Sequence, residues 1–158
     1  MYWEIRAATT EDVPYIVDLI RMGVEDRSFH NRVISIKGFR EYAFKSRQKG
    51  FNIILYQIIN EIVSYMDSIV GNWGVGHILG IYVKPEHRKK GIGKKLMNKT
   101  FDEFMKRNCH KARVEVFANN QGAIRFYTSL NFVQEGYLRN DEDKRDVIIM
   151  SKFLEEPE

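Results

Sequence analysis

The sequence of 158 residues contains a single cysteine, Cys109, so it cannot form an internal disulfide bond. A reducing, cytoplasmic compartment is therefore the expected location. No apolar run approaches the ~20 residues that a membrane span requires, and the N-terminal residues lack the layout of a signal peptide. Because repeats, low-complexity stretches and linkers are also absent, the sequence predicts one domain over residues 1–158.

Two common nucleotide-binding patterns are missing as well. The chain has no Gly-x-x-x-x-Gly-Lys-Ser/Thr loop, which excludes the usual nucleoside triphosphatases. It has no Gly-x-Gly-x-x-Gly either, because Leu96 stands where the third glycine would be. The four histidines have no spacing typical of a metal site, so we predict no metal.

The charge balance is positive, with a net charge of +4 and an isoelectric point near 9.1. Such a balance raises the possibility of nucleic-acid binding. However, the positive charge is concentrated between residues 88 and 99, and aromatic residues do not alternate with basic ones as they do on a stacking surface. An anionic cofactor explains this local concentration better than a nucleic acid does.

The most informative stretch runs from residue 78 to residue 107. Residues 78–83 are apolar, β-branched and aromatic, which predicts a strand, and Pro85 then begins a loop. The loop contains Arg88-Lys-Lys-Gly91-Ile-Gly93 and leads into a helix with one apolar stripe. Glycines allow an anion to approach the free N–H groups at a helix start, and the lysines add positive charge. The stretch therefore predicts a phosphate-binding site.

The remaining pattern predicts a mixed α/β chain. Val13, Ile16, Val17 and Ile20 form the buried stripe of a first helix that Thr9 or Thr10 caps. The following stretch is irregular, and residues 23–50 give no indication of their role beyond a helix at about 36–48. Strands are predicted at residues 2–7, 51–58, 62–69, 78–83, 111–117, 133–139 and 146–153, with turns at Asn60-Glu61 and at 141–144.

A second motif begins at Asn119 or Asn120, either of which can cap a short helix. Asn120-x-x-Ala-Ile-x-Phe-Tyr127-x-x-Leu-x-Phe132 resembles the pattern Asn-x-x-Ala-x-x-Phe-Tyr-x-x-x-Gly-Phe of the GCN5-related N-acetyltransferases, the GNAT superfamily. Asn131 replaces the glycine, and asparagine is the next best residue for a left-handed backbone. The Arg88-x-x-Gly91-x-Gly93 loop is similar to the coenzyme A pyrophosphate loop of the same superfamily.

This resemblance implies a twisted mixed sheet of about seven strands, flanked by helices and splayed between its fourth and fifth strands, here 77–83 and 111–117. Acetyl-CoA would lie in the split. The cofactor-binding residues that the resemblance implies are Ile81, Tyr82 and Val83 for the pantetheine arm, Arg88, Lys89, Lys90, Gly91, Ile92, Gly93 and Lys94 for the pyrophosphate, and Asn120 and Tyr127 near the sulfur.

The implied reaction is acetyl transfer from the thioester to an amine. A lysine-like amine has a pKa of ~10.4 and must lose a proton before it attacks. Tyr127 matches the position of the acid that protonates the departing thiolate, and a backbone N–H of residues 81–83 could stabilise the oxyanion. His77 occupies the place where many relatives carry a glutamate base, and His30 is a further candidate. For each of these side chains a purely structural role is the alternative.

Several points remain open in the sequence. The acceptor could be a small amine, a peptide or protein N-terminus, or a lysine. Without a placed base, the chain would instead be a non-catalytic acyl-CoA-binding regulatory module. Trp73 could be either an exposed substrate contact or a plug beneath its glycine-rich loop. A homodimer is common in the superfamily, but no residue here argues for one physically.

Overall fold

The protein is built on a seven-stranded mixed sheet. The computed structural model describes residues 2–45 and 50–154. The strand order is β1-β2-β3-β4-β5-β7-β6, in which only the β4–β5 pair is parallel. The predicted mixed sheet of about seven strands is therefore confirmed. The strands are β1 Trp3–Ala7, β2 Phe51–Ile58, β3 Glu61–Val70, β4 Val75–Val83, β5 Lys111–Phe117, β6 Val133–Leu138 and β7 Val147–Phe153.

Within residues 2–45 and 50–154, four α-helices flank this sheet: α1 Val13–Glu25, α2 Ile36–Arg40, α3 Ile92–Lys106 and α4 Gln121–Ser129. A wider π-helical turn, Glu41–Lys45, continues α2. The predicted helix at 36–48 is therefore only partly a regular α-helix, and its residues 46–48 lie outside the described residues. Within the described ranges, no helix has both the length and the apolar character needed to cross a membrane.

Two apolar cores lie on opposite faces of the sheet. One contains the buried stripes of α3 and α4, including Leu96, Phe104 and Tyr127. The other contains the stripe of α1, including Ile16 and Ile20, with Tyr65 and Tyr82 of the sheet. The sheet is therefore the middle layer of three, with helices packed on both of its faces.

The strands separate between β4 and β5. Their pairing is limited to Val75–Ile78 with Lys111–Val114, and it is not continued toward the C-terminal ends. A β-bulge lies at the same point, because Asp67 pairs with Gly80 and Ser68 with Ile78, which leaves Leu79 without a partner on β3. Bulges bend a strand and increase its twist. The predicted splay between the fourth and fifth strands is thus confirmed.

Several local predictions are also settled. Thr9 and Asp12 form a capping box before α1, and Asn131 adopts a positive φ of 67°. The β2–β3 hairpin turns at Ile59 and Asn60 instead of Asn60 and Glu61, because β3 already begins at Glu61. Trp73 is 93% exposed, so it does not plug the loop before β4.

Candidate active site

The split in the sheet opens into a cleft of about 620 Å³, which is within the usual size of a small-molecule site. Its walls come from both faces of the sheet. Residues 28–30 contribute from the segment between α1 and α2, and Gly91–Lys94 with α4 contribute from the opposite face. Residues 79–83 of β4 and 114–117 of β5 form the sides. The cleft therefore passes through the sheet, so two reactants could enter from opposite faces.

The loop before α3 offers free backbone donors at one mouth of the cleft. Gly91 caps α3 with a φ of +80°, a conformation that glycine adopts far more readily than other residues. The first bond of the helix joins Lys95 N–H to the Gly91 carbonyl at 3.1 Å. The N–H groups of Ile92, Gly93 and Lys94 therefore have no carbonyl of a preceding turn to bond. Nothing lies within 4 Å of the place where residue 91 would carry a Cβ, so the approach to these donors is open.

Gly93 favours the packing of the cleft wall for a different reason. A Cβ at this position would lie 3.1 Å from two atoms of the Phe126 ring, closer than most real contacts. The absence of a side chain lets α4 pack against the start of α3. The loop motif at residues 88–93 and the second motif at residues 120–132 are therefore in contact at Gly93 and Phe126, and together they form one wall of the cleft.

The basic residues of the loop do not all face the cleft. Lys89 and Lys94 line it, whereas Lys90 is exposed outside it. Arg88 lines the cleft, but its Nε donates to the Val83 carbonyl at 2.9 Å and its guanidinium lies 5.1 Å from the centre of the Tyr82 ring. In this arrangement Arg88 connects the loop to the end of β4. Direct contact with a pyrophosphate would require its side chain to turn.

Residues 81–83 of β4 lie along the split, where β5 is no longer paired with them. Ile81 and Val83 pack against the core under α3, while Tyr82 points to the other face. The Tyr82 hydroxyl donates to Asp26 Oδ2 at 2.8 Å, and burial raises the pKa of Tyr82 to about 12. This hydrogen bond holds the Tyr82 side chain in place. A ligand in the split would therefore contact the backbone edge of β4 and not the Tyr82 hydroxyl.

The second motif contributes Asn120 and Tyr127 to the cleft wall. Asn120 Oδ1 accepts from the Ala123 N–H at 3.1 Å and so caps α4, which leaves its amide nitrogen as the group that could contact a ligand. Tyr127 is 4% exposed, and its burial raises its pKa above the ordinary value for a phenol. Tyr127 therefore keeps its proton at neutral pH, as an acid must before it donates.

His77 does not line the cleft. It lies on the paired part of β4, opposite Arg113 of β5, and its ring is close to Gly71. Burial, followed by the charge of Arg113, lowers the pKa of His77. The structure does not bring His77 together with Tyr127 in the cleft, whereas His30 does line it, 3.9 Å from Glu142.

The residues at the cleft that the sequence did not predict include Phe29, Asp67 and Glu115. Phe29 and Glu115 line the cleft, and Asp67 lies against it, next to Gly80. Asp67 is only 9% exposed, and burial raises the pKa of its carboxyl group to about 7. An acidic residue in the middle of the otherwise buried run 62–69 was the available signal.

One group of potential metal ligands is present in the described residues: Glu61, Glu86 and His87, whose ligand atoms lie within 4.8 Å of one another. Lys84 Nζ already contacts Glu61 Oε1 at 2.7 Å and offsets its charge. Acidic groups at an exposed position commonly occur without a metal, so this cluster gives no reason to revise the prediction of a metal-free site.

A sequence model of the acetyltransferase (GNAT) family matches residues 18–132. This match covers more than half of the chain, including both motifs. The chain belongs to the GNAT family. The predicted family is thus confirmed.

Three curated relatives are similar in sequence. Spermidine N(1)-acetyltransferase of Vibrio cholerae is 34% identical over 49% of this chain and 50% of that protein. The bS18-alanine N-acetyltransferase of Escherichia coli K12 is 32% identical over 47% and 53%. An uncharacterized N-acetyltransferase of Archaeoglobus fulgidus is 30% identical over 80% and 90%. The match thus spans about half the length of the two relatives with a known acceptor.

Solved structures share the fold over almost the full length. The spermidine N-acetyltransferase of Vibrio cholerae in complex with CoA and spermine superposes with a TM-score of 0.83 and 21% identity, covering 96% of this chain and 95% of that one. The ribosomal-protein-S18-alanine N-acetyltransferase of Escherichia coli gives 0.77 and 23% identity, covering 99% and 97%. At these identities the likeness shows the fold alone.

Proposed function

We propose that this protein transfers the acetyl group of acetyl-CoA to a primary amine by direct attack. The observation that carries the proposal is the cleft through the sheet, with the free N–H groups of Ile92, Gly93 and Lys94 at one mouth. Bound there, acetyl-CoA would supply the activated thioester. Two relatives with a known acceptor act on amines by their names, the polyamine spermidine and an alanine of ribosomal protein bS18.

The residues fit the donor in three ways. The open space at Gly91 admits a diphosphate to the helix start, where anions are stabilised. The unpaired edge at residues 81–83 offers backbone groups to the amide-bearing arm, as an added strand would use them. Tyr127 retains its proton in the wall of the cleft and would donate it to the departing sulfur.

The acceptor is proposed only as a class, a primary amine on a small molecule, a peptide or protein N-terminus, or a lysine. The acceptor would enter from the face of α1, because the loop before α3 occupies the other face. A cytoplasmic location and a homodimer are further parts of the proposal.

The test is to mix purified protein with acetyl-CoA and one amine at a time while free thiol is measured. The panel should contain spermidine, a peptide with N-terminal alanine, free lysine and an aminoglycoside. We expect thiol release that depends on both the protein and one class of amine, and mass spectrometry should show an acetylated product. If the protein binds coenzyme A but releases no thiol with any amine, catalysis is refuted. The protein would then be the alternative, a non-catalytic acyl-CoA-binding module. The position of His77 outside the cleft favours that alternative unless another residue acts as the base.

A further inference from the structure

Asp67 is a buried acidic residue without the partners that such a residue normally has. It is 9% exposed, and its Oδ1 has no hydrogen-bond partner among residues 2–45 and 50–154. Buried carboxylates are usually paired or hydrogen-bonded, because an uncompensated charge in the interior costs several kcal/mol. An unpaired buried carboxylate therefore needs an explanation, and a ligand that the protein itself does not contain would provide one.

The position of Asp67 connects it to the cleft. A Cβ at Gly80 would lie 2.9 Å from Asp67 Oδ1, 3.2 Å from the Tyr65 hydroxyl oxygen and 3.7 Å from Phe29. Gly80 and Phe29 both line the cleft. The carboxylate and the phenol therefore meet at the one place on β4 where the wall has no side chain. Glycine at residue 80 therefore lets the carboxylate approach the β4 backbone this closely, because a side chain there would collide with Oδ1.

The bulge in the sheet produces this arrangement. Because Leu79 is left out of the pairing, Gly80 instead of Leu79 lies opposite Asp67. Tyr65 and Asp67 are two residues apart, so both point to the face of α1, from which the acceptor would enter. Tyr127 approaches from α4, near enough for the charge of Asp67 to raise its pKa. The proposed acid and the carboxylate thus lie on the two sides of the same opening.

The charged and titratable groups that act on Asp67 come from four elements. Arg32, in the segment before α2, lowers the pKa of Asp67, while desolvation, the largest effect, raises it to about 7. In return, the charge of Asp67 contributes to raised pKa values for Tyr42 after α2, Tyr65 of β3 and Tyr127 of α4. A general base works best when its pKa is close to the operating pH, and an ammonium group would replace the missing partner of Oδ1.

We infer that Asp67 receives the ammonium group of the acceptor beside Gly80 and Phe29 at the cleft wall and removes its proton, an inference that rests on the acetyl transfer proposed above. The acceptor enters as R–NH₃⁺ and gives one proton to the carboxylate, which becomes the neutral acid. The resulting R–NH₂ attacks the thioester carbon, so that a C–N bond forms and the C–S bond breaks. Tyr127 gives its proton to the departing sulfur and takes up the second proton that leaves the nitrogen. Asp67 then releases the first proton to water.

The test compares the wild type with Asp67→Asn, a substitution of nearly the same shape. We expect kcat/KM for the acceptor to fall by about 10²–10⁴-fold, the range usual for loss of a general base, with KM for acetyl-CoA within about twofold. The wild-type kcat/KM should rise with pH through a midpoint near 7, and this limb should be absent in the variant. Asp67→Glu should keep part of the activity with a displaced limb. Asp18→Asn on the exposed side of α1 is the matched control and should leave both measurements unchanged.

A second measurement does not depend on turnover. In the wild type, the ¹³C signal of the Asp67 carboxyl should titrate near pH 7, and the amine substrate should lower that midpoint, because its charge favours the carboxylate. An Asp67→Asn variant with kcat/KM within threefold of the wild type, or with an unchanged pH limb, would overturn the inference while acetyl transfer stands. A wild type that binds coenzyme A but acetylates no amine would instead refute the proposed function. If no amine of the panel shifts the titration midpoint of the Asp67 carboxyl signal, the role of Asp67 is also overturned.

Discussion

Replacement of Asp67 by asparagine should make the protein more stable at neutral and alkaline pH. The folded protein holds the carboxyl pKa at about 7 against an ordinary value of 3.8. Each pH unit of that difference corresponds to about 1.36 kcal/mol, so the charged form costs the folded state up to about 4 kcal/mol. The asparagine side chain carries no charge, so the variant would not lose this free energy. The residue is 9% exposed, so solvent screening removes little of the effect.

The sign of the pH dependence follows from proton binding. Between pH 4 and 7 the folded wild type holds a proton that the unfolded chain has already released. The free energy of unfolding contributed by Asp67 therefore falls as pH rises through this window and stays low above pH 7. The difference between Asp67→Asn and the wild type should be near zero at about pH 4 and should grow to about 2–4 kcal/mol at pH 8. The lower value allows for burial of an unpaired amide.

Urea unfolding at pH 5, 6, 7 and 8 measures this difference directly, provided that the two proteins show the same dependence on urea. Asp18→Asn again serves as the control, because its carboxylate is 70% exposed and its effect should be small at every pH. The reasoning would be refuted by an asparagine variant that is less stable than the wild type at pH 8. A stabilisation that does not change with pH would refute it equally, since it would have to come from packing.

Three further substitutions test other parts of the site. Gly91→Glu should weaken coenzyme A binding at least 100-fold in calorimetry, because it places a carboxylate where the diphosphate would lie. The positive φ at residue 91 should also cost any side chain there about 1–2 kcal/mol of stability, and Gly91→Ala controls for that cost. Normal binding by the glutamate variant would contradict the loop assignment. Tyr127→Phe keeps the buried ring, so kcat should fall about 100-fold with unchanged affinity for coenzyme A; a large loss of affinity would instead make Tyr127 a packing residue. His77→Ala should leave kcat/KM within about threefold because the ring lies outside the cleft, whereas a 100-fold loss would give His77 the catalytic role that the family pattern suggests.

The sequence could predict those parts of the site that depend on neighbouring residues alone, such as helix starts and caps. Gly91 and Gly93 stand before an apolar stripe, and the free N–H groups of a helix start follow from that position alone. Asn120 caps α4 and Asn131 takes a left-handed backbone, each within four residues of the feature that identifies it. The strands were found to within a few residues for the same reason, since alternation and composition are local properties.

The parts that sequence could not predict depend on register between strands. The bulge at Leu79 is visible only when β3 and β4 are paired, and it decides that Gly80 faces Asp67. Without the bulge, every later side chain of β4 would point to the other face of the sheet. His77 matches in sequence the position of a base in many relatives, yet β4 is still paired with β5 at His77, so the sheet is closed there.

Two features at the split are costly or unusual for a structural role, and they occur at the same place. A buried charge worth up to about 4 kcal/mol is a large fraction of the 5–15 kcal/mol by which a domain is stable, so asparagine would give a more stable sheet. A glycine in the middle of a strand also weakens it, unless something must approach the backbone there. Asp67 and Gly80 lie opposite each other, beside the opening between β4 and β5. Destabilising groups that converge on a cleft are expected where a ligand or a proton is handled, and packing alone explains neither of them.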